Sequence, residues 1–201
     1  MRLFIAIEPP DDLKTALGRL RVDVPGARWV PAAQLHLTLA FLGEVEEGEV
    51  GELSERLALI HSPPFHLCFS GTGCFPNPRR PRVLWAGIEP HPGLMHLAAG
   101  VHQAVLARGI PQEERPFSPH ITLARLKFPA AREADAFLAM PQKLKLPPFP
   151  VREIILFQSR LTPHGAEHIP VRTFPMAGTG DSSDHRPPVT SCRGGSCEKT
   201  V

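Results

Sequence analysis

The sequence predicts an α+β fold built from two copies of one β-α-β-α-β unit, and three repeated landmarks predict it. The tetrapeptide His36-Leu37-Thr38-Leu39 returns as His120-Ile121-Thr122-Leu123, at an offset of 84. Pro63-Pro64-Phe65 returns at the same offset as Pro147-Pro148-Phe149. Phe4-Ile5-Ala6-Ile7-Glu8-Pro9 resembles Trp85-Ala86-Gly87-Ile88-Glu89-Pro90 at an offset of 81. Landmarks in one order at nearly one offset mark an internal duplication. The difference between the two offsets fits a longer connection ahead of the second motif.

Each unit reads alike. A strand (3–7, then 83–88) ends in Glu-Pro, and a helix follows (about 11–20, then about 93–108). In the second of these helices Leu94, Leu97, Val101 and Val105 fall at helical spacing. The His-x-Thr strand comes next, then a second helix (about 48–60 and 130–140), then a closing strand (about 65–69 and 151–158). Strand 3–7 and the motif strands are apolar on both faces, which predicts sheets covered by helices. Two such lobes pack as a pseudo-dimer, and the symmetry brings both motif strands to one shared cleft.

Composition sets the limits. A chain of 201 residues, 42% hydrophobic and 21% charged, suits one domain or two small lobes sharing a core. From residue 177 to 201 the chain is mostly Gly, Ser, Thr, Asp, Pro and Arg, with Ala177 and two Val as its aliphatic side chains. Such a segment cannot offset its ordering entropy, so residues 1–176 are expected to fold and 177–201 to form a disordered tail. The net charge of +2 gives no polybasic field, so a nucleic-acid partner has to be held by a local patch. No apolar run is long enough for a membrane helix, and the N-terminal apolar run reads as a first strand rather than a signal peptide, which predicts a cytoplasmic protein. Cys68, Cys74, Cys192 and Cys197 form no Cys-x-x-Cys pair, so reduced thiols are expected. The phosphate-binding, dinucleotide and nucleophile-elbow glycine motifs are absent, which disfavours a triphosphatase, a dinucleotide enzyme and an α/β hydrolase.

Side chains alternate along a strand, so each motif puts an imidazole and a hydroxyl on one face and two aliphatics on the other. Two motifs facing each other supply a base and an acid, His36 and His120, around one substrate. Thr38 and Thr122 are short, stiff donors suited to a non-bridging phosphate oxygen. Arg125 follows His120 by an odd step along the strand, which puts it on the opposite face unless the strand twists, bulges or ends. Phe41 holds the equivalent place in the first unit, so any role for Arg125 is asymmetric. No metal is expected. Pro163, Gly165 and Pro170 argue against a helix pairing His164 with His168, and His91, His96 and His102 share no helical face. Arg79-Arg80-Pro81-Arg82 is either a solvated turn or a contact to an RNA backbone.

These residues resemble the 2H phosphoesterase superfamily, and within it the RNA 2′,3′-cyclic phosphodiesterases, also called 2′-5′ RNA ligases. The likeness runs from Arg2 to about Met176. It rests on Arg2-Leu3-Phe4-Ile5-Ala6-Ile7, on His36-Leu37-Thr38-Leu39-Ala40-Phe41-Leu42-Gly43, and on Phe75-Pro76-Asn77 with Arg82-Val83-Leu84-Trp85-Ala86-Gly87. Pro116-Phe117-Ser118-Pro119-His120-Ile121-Thr122-Leu123-Ala124-Arg125 and Ser159-Arg160-Leu161-Thr162-Pro163-His164-Gly165-Ala166 complete it. His168 stands where that family often has Tyr. The resemblance implies a bilobal fold of mostly antiparallel sheets lining a central cleft, with helices outside. It implies metal-independent hydrolysis of terminal 2′,3′-cyclic phosphates on RNA to 2′-phosphomonoesters, without a cofactor, by a monomer. It further implies that Arg125 joins Thr38 and Thr122 in holding the phosphate, and that 2′-5′ ligation of tRNA halves is within reach. His120 is favoured as base and His36 as acid, with pseudo-symmetry leaving the reverse open. Two alternatives stand: a cyclic phosphodiesterase for small nucleotides or ADP-ribose cyclic phosphate, and a non-catalytic RNA-end-binding module.

Overall fold

The structure, a computed structural model, describes residues 1–112, 115–128, 131–140, 144–162 and 165–177. Beyond Ala177, the tail expected to be disordered lies outside the described residues, as does His164.

The first unit runs β1 (Arg2–Ile7), α1 (Asp11–Gly18), a short β2 (Ala27–Trp29), β3 (Leu37–Glu44), α2 (Val50–Ala58), β4 (Phe65–Leu67) and β5 (Phe69–Phe75). The second runs β6 (Val83–Ile88), α3 (Pro92–Leu106), β7 (His120–Leu126), α4 (Ala131–Leu138), β8 (Phe149–Val151), β9 (Glu153–Thr162) and β10 (Gly165–Pro175). Eight strands form one antiparallel sheet, ordered β10-β9-β1-β3-β7-β6-β5 with β2 also on β7, and β4 pairs with β8 separately.

The expected α+β duplication is present, and its symmetry can be placed residue by residue. Leu37 pairs with Ile121, its own equivalent in the second repeat. In the small sheet His66 pairs with Pro150, which is again its equivalent at the motif offset. An antiparallel pair in which equivalent residues face each other lies on a local two-fold axis, so the axis passes through both pairings.

The lobes are not one per half of the chain. The closing strand of each unit crosses over: β5 pairs with β6 of the second unit, and β9 pairs with β1 of the first. Each closing strand also breaks in two, at Cys68 and at Arg152, which are themselves equivalent positions of the two repeats. Two strands were not expected. β2 is too short to show alternation. β10 contains Pro170 and Pro175, which read as loop; an edge strand tolerates them, and a register shift between Pro170 and Arg172 absorbs the irregularity.

One face of the sheet is covered by helices. Leu3, Ile5, Ile7, Leu37, Leu84 and Ile121 share a core with Leu13 and Leu17 of α1, Leu53 and Leu57 of α2, Leu94, Leu97, Val101 and Val105 of α3, and Phe137 of α4. His91 starts α3: its Nδ1 accepts from the Gly93 amide at 3.1 Å, with Pro92 in the first turn. The other face of β1 is closed differently, because Phe4 and Ala6 form a separate buried cluster with Ile155 and Phe157 of β9. The apolar alternation of β1 thus reports a helix layer on one side and an aromatic floor on the other. Cys68 is disulfide-bonded, against the reduced-thiol expectation, whereas Cys74 is a free, buried thiol. Pairing depends on two Cβ atoms meeting in space, which sequence spacing does not reveal.

Candidate active site

A β-bulge decides where Arg125 goes. Leu84 pairs with Ala124 and Trp85 with Thr122, which leaves Leu123 without a partner across β6. The extra residue shifts the alternation by one. Leu123 and Ala124 are therefore both buried, and Arg125 emerges exposed on the face of His120 and Thr122. The odd step noted in the sequence is cancelled by this bulge. β3 bulges at the equivalent residue, for Ile5 pairs with Ala40 and Ala6 with Thr38, skipping Leu39. Phe41 accordingly emerges beside Thr38, 61% exposed, where Arg125 stands in the other half.

The fold thus brings His36, Thr38, His120, Thr122 and Arg125 together on one face of the two strands at the pseudo-two-fold axis. His36 lies just ahead of β3 rather than within it. Its ring is fixed by a hydrogen bond from Nδ1 to the Gln34 carbonyl at 2.7 Å, and His120 Nδ1 donates to the Ser118 carbonyl at 2.7 Å. A carbonyl only accepts, so Nδ1 carries the hydrogen and Nε2 of each neutral ring keeps its lone pair. Gln34 and Ser118 are themselves equivalent positions of the two repeats. The Gln34 side chain donates to the Ala166 carbonyl at 2.6 Å, tying this support to β10.

Aromatic rings seat both imidazoles. His36 lies 4.8 Å from Phe4, which stacks on Phe157 at 5.2 Å. His168 of β10 meets His36 edge-on at 5.0 Å. His120 meets Phe75 edge-on at 4.9 Å and Trp85 at 6.2 Å. Trp85 lies over Gly73, where a Cβ would come within 2.2 Å of the indole. Among the described residues the hydroxyls of Thr38 and Thr122 make no hydrogen bond, so both can donate to a ligand.

Burial holds the pair uncharged. Desolvation lowers His36 to about 4, against the opposing hydrogen bond to the Gln34 carbonyl, and repulsion from Arg125, and from His168 or His120 when either is protonated, adds to it. His120 is lowered for the same first reason, with Arg125 adding to it. One guanidinium therefore acts on both rings. Two neutral imidazoles, two free hydroxyls and a cation thus share one face, an arrangement chemically able to receive an anion and exchange protons with it.

Other residues take structural places. Asn77 Oδ1 accepts from the Arg79 and Arg80 amides at 3.1 Å each, so the basic cluster begins as a side-chain-stabilised turn. The Arg82 guanidinium donates to the Lys127 carbonyl at 2.8 Å. Among the described residues no group of three His, Cys, Asp or Glu is placed to hold a metal. Sequence reasoning missed Phe4, Phe75, Trp85 and His168 as walls of the site. The first three lie on strands of the central sheet; alternation along β1, β5 and β6 gives their face but not what they face. His168 sits on the strand that its prolines concealed.

The duplicated α+β sheet carries one imidazole and one hydroxyl from each repeat on a shared face, and comparison with known proteins identifies a phosphoesterase. The chain belongs to the LigT-like phosphoesterase family, whose profile matches twice, over residues 7–85 and 88–166, once per repeat. A Thermus thermophilus protein named RNA 2′,3′-cyclic phosphodiesterase is 39% identical over 89% of this chain and 91% of its own length. One of the same name from Archaeoglobus fulgidus is 33% identical over 87% of this chain and 99% of its own length. A crystal structure of E. coli LigT complexed with 3′-AMP superposes with a TM-score of 0.70 at 30% identity, covering 87% of this chain and 97% of that one.

Proposed function

We propose that the protein hydrolyses terminal 2′,3′-cyclic phosphates on RNA to 2′-phosphomonoesters by two-histidine acid-base chemistry without a metal. The observation that carries this is the matched pair of imidazoles, each with Nδ1 fixed on a carbonyl, flanking two free hydroxyls and Arg125. Relatives named RNA 2′,3′-cyclic phosphodiesterase and a neighbour complexed with 3′-AMP support the substrate class.

Water attacks phosphorus in line with the 3′ oxygen. A new P–O bond forms, the P–O3′ bond breaks, and the phosphate stays on O2′. One Nε2 takes the proton from water, and the other imidazolium gives its proton to O3′. Thr38, Thr122 and Arg125 hold the charge that builds on the non-bridging oxygens. Both rings are neutral in the free protein near pH 7, so the needed proton enters with the anionic substrate, whose charge favours an imidazolium. The deeper desolvation of His36 makes it the harder ring to protonate, which weighs against the sequence preference for His36 as the acid. Joining of 2′-5′ linkages is the same displacement with an RNA 5′ hydroxyl in place of water: the P–O5′ bond forms, the P–O3′ bond breaks, and the phosphate stays on O2′.

The test is turnover of an oligonucleotide ending in a 2′,3′-cyclic phosphate, with identification of the monoester formed. A 2′-phosphate is expected; a 3′-phosphate contradicts the polarity. His36→Ala and His120→Ala are each expected to lower turnover roughly 10²–10⁴-fold. Undiminished hydrolysis in both variants refutes the site, and tight binding without product favours an RNA-end-binding module.

A further inference from the structure

The cleft carries a second arginine. In β2, Arg28 pairs directly with Arg125 of β7. Directly opposed residues of an antiparallel pair stand on the same face. The neighbour Trp29 agrees with this orientation, since it turns to the helix side and meets Phe137 of α4 at 6.0 Å, which sends Arg28 to the cleft side. Arg28 is exposed, and among the described residues neither arginine has an acidic partner. Like charges directly opposed across a strand pair destabilise it. An anion lying between or across the two removes that cost.

Pseudo-symmetry shows that the pairing is particular to one half. Gln112 is the equivalent of Arg28 in the second repeat, and it donates from Nε2 to the carbonyl of Phe41, the equivalent of Arg125, at 3.0 Å. One end of the cleft therefore has two cations where the other has an amide and an exposed aromatic ring. On the phosphodiesterase reading, a lone cyclic phosphate would engage the imidazoles, the hydroxyls and Arg125 and leave Arg28 without an anion. Neighbouring strands are about 4.8 Å apart, so two long arginine side chains on adjacent strands reach phosphates one nucleotide apart.

We propose that Arg28 binds the phosphate on the 5′ oxygen of the terminal nucleotide, so that the site selects an RNA end over a free nucleoside cyclic phosphate. This rests on the phosphodiesterase reading and deepens it. Arg125 holds the reacting group, and Arg28 measures whether the chain continues.

The probe pair is adenosine 2′,3′-cyclic phosphate and its 5′-phosphorylated form, which differ only in the phosphate concerned. The unsubstituted protein is expected to show about tenfold higher kcat/KM on the 5′-phosphorylated compound, mostly in KM, and the preference is expected to shrink as salt rises. Arg28→Ala is expected to bring the ratio of the two substrates close to one, and Arg28→Lys to keep part of it. Thermal unfolding of both variants reads any loss of fold separately. Turnover of both compounds without preference, or a preference that survives Arg28→Ala, overturns the Arg28 assignment alone. Failure of the unsubstituted protein to turn over either compound counts against the phosphodiesterase reading. Calorimetric binding of the same two compounds then still decides Arg28, which is overturned if the 5′ phosphate adds no affinity.

Discussion

The burial that keeps His36 uncharged has a consequence for stability that can be measured without any substrate. The folded protein holds this ring neutral down to about pH 4 instead of its ordinary 6.5. In the intervening window the unfolded chain binds a proton that the folded chain refuses. Stability therefore rises with pH there, and the contribution of the neutral ring is complete above about 6.5, is lost as pH falls toward 4, and loses nothing further below it. At about 1.36 kcal/mol per pH unit, the difference amounts to about 3 kcal/mol. That figure is a ceiling, because the edge of the ring meets solvent. The perturbation is His36→Asn, whose amide nitrogen can keep the hydrogen bond to the Gln34 carbonyl but cannot titrate. Urea denaturation of both proteins at half-unit steps from pH 7.5 to 3.5 gives two stability curves. Their difference cancels the carboxylates that titrate in the same range. The unsubstituted protein is expected to lose up to about 3 kcal/mol relative to the variant across the window. Parallel curves refute the claim that desolvation keeps this imidazole neutral.

Other outcomes follow from the same site. Because His120 is also lowered, the alkaline limb of kcat/KM is expected below pH 6.5, with the limb of kcat displaced upward by the bound anion; a kcat/KM flat from pH 6 to 8 contradicts this. Gly73→Ala puts a Cβ 2.2 Å from the Trp85 indole, so calorimetry should show about 1–3 kcal/mol of destabilisation, and turnover should fall as the wall beside His120 shifts. Thr38→Val and Thr122→Val each remove one donor and are expected to lower kcat about tenfold or more with little change in unfolding temperature. Dialysis against EDTA should leave turnover unchanged; activity lost and restored by added metal contradicts the metal-free chemistry.

Much of this was legible because a duplication writes each important residue twice. The His-x-Thr pair, the Pro-Pro-Phe pair and the Glu-Pro strand ends located the units and the two catalytic candidates. Arg125 shows where legibility stopped. Its odd step from His120 left its face undecided, since a bulge is a feature of strand pairing and leaves no mark in the periodicity of one strand. Arg28 and His168 were hidden for related reasons: a strand as short as β2 has no period to detect, and the prolines of β10 disguise an edge strand as a loop. The crossing of β5 and β9 was equally invisible, because sequence order says nothing about which neighbour a closing strand chooses.

That crossing sets a timetable for the newborn chain. Residues 3–6 find their outer partners only at 155–158. At about 5–20 residues per second of synthesis, the first strand waits roughly eight to thirty seconds for the strand that completes its sheet. Until then its apolar row is open on one edge, which invites pairing with another molecule. His36 waits as well, because Phe157 and His168, which wall its side of the cleft, arrive on the same late hairpin. Neither repeat can assemble its lobe alone, so the protein is committed to reaching its far end before it can do chemistry.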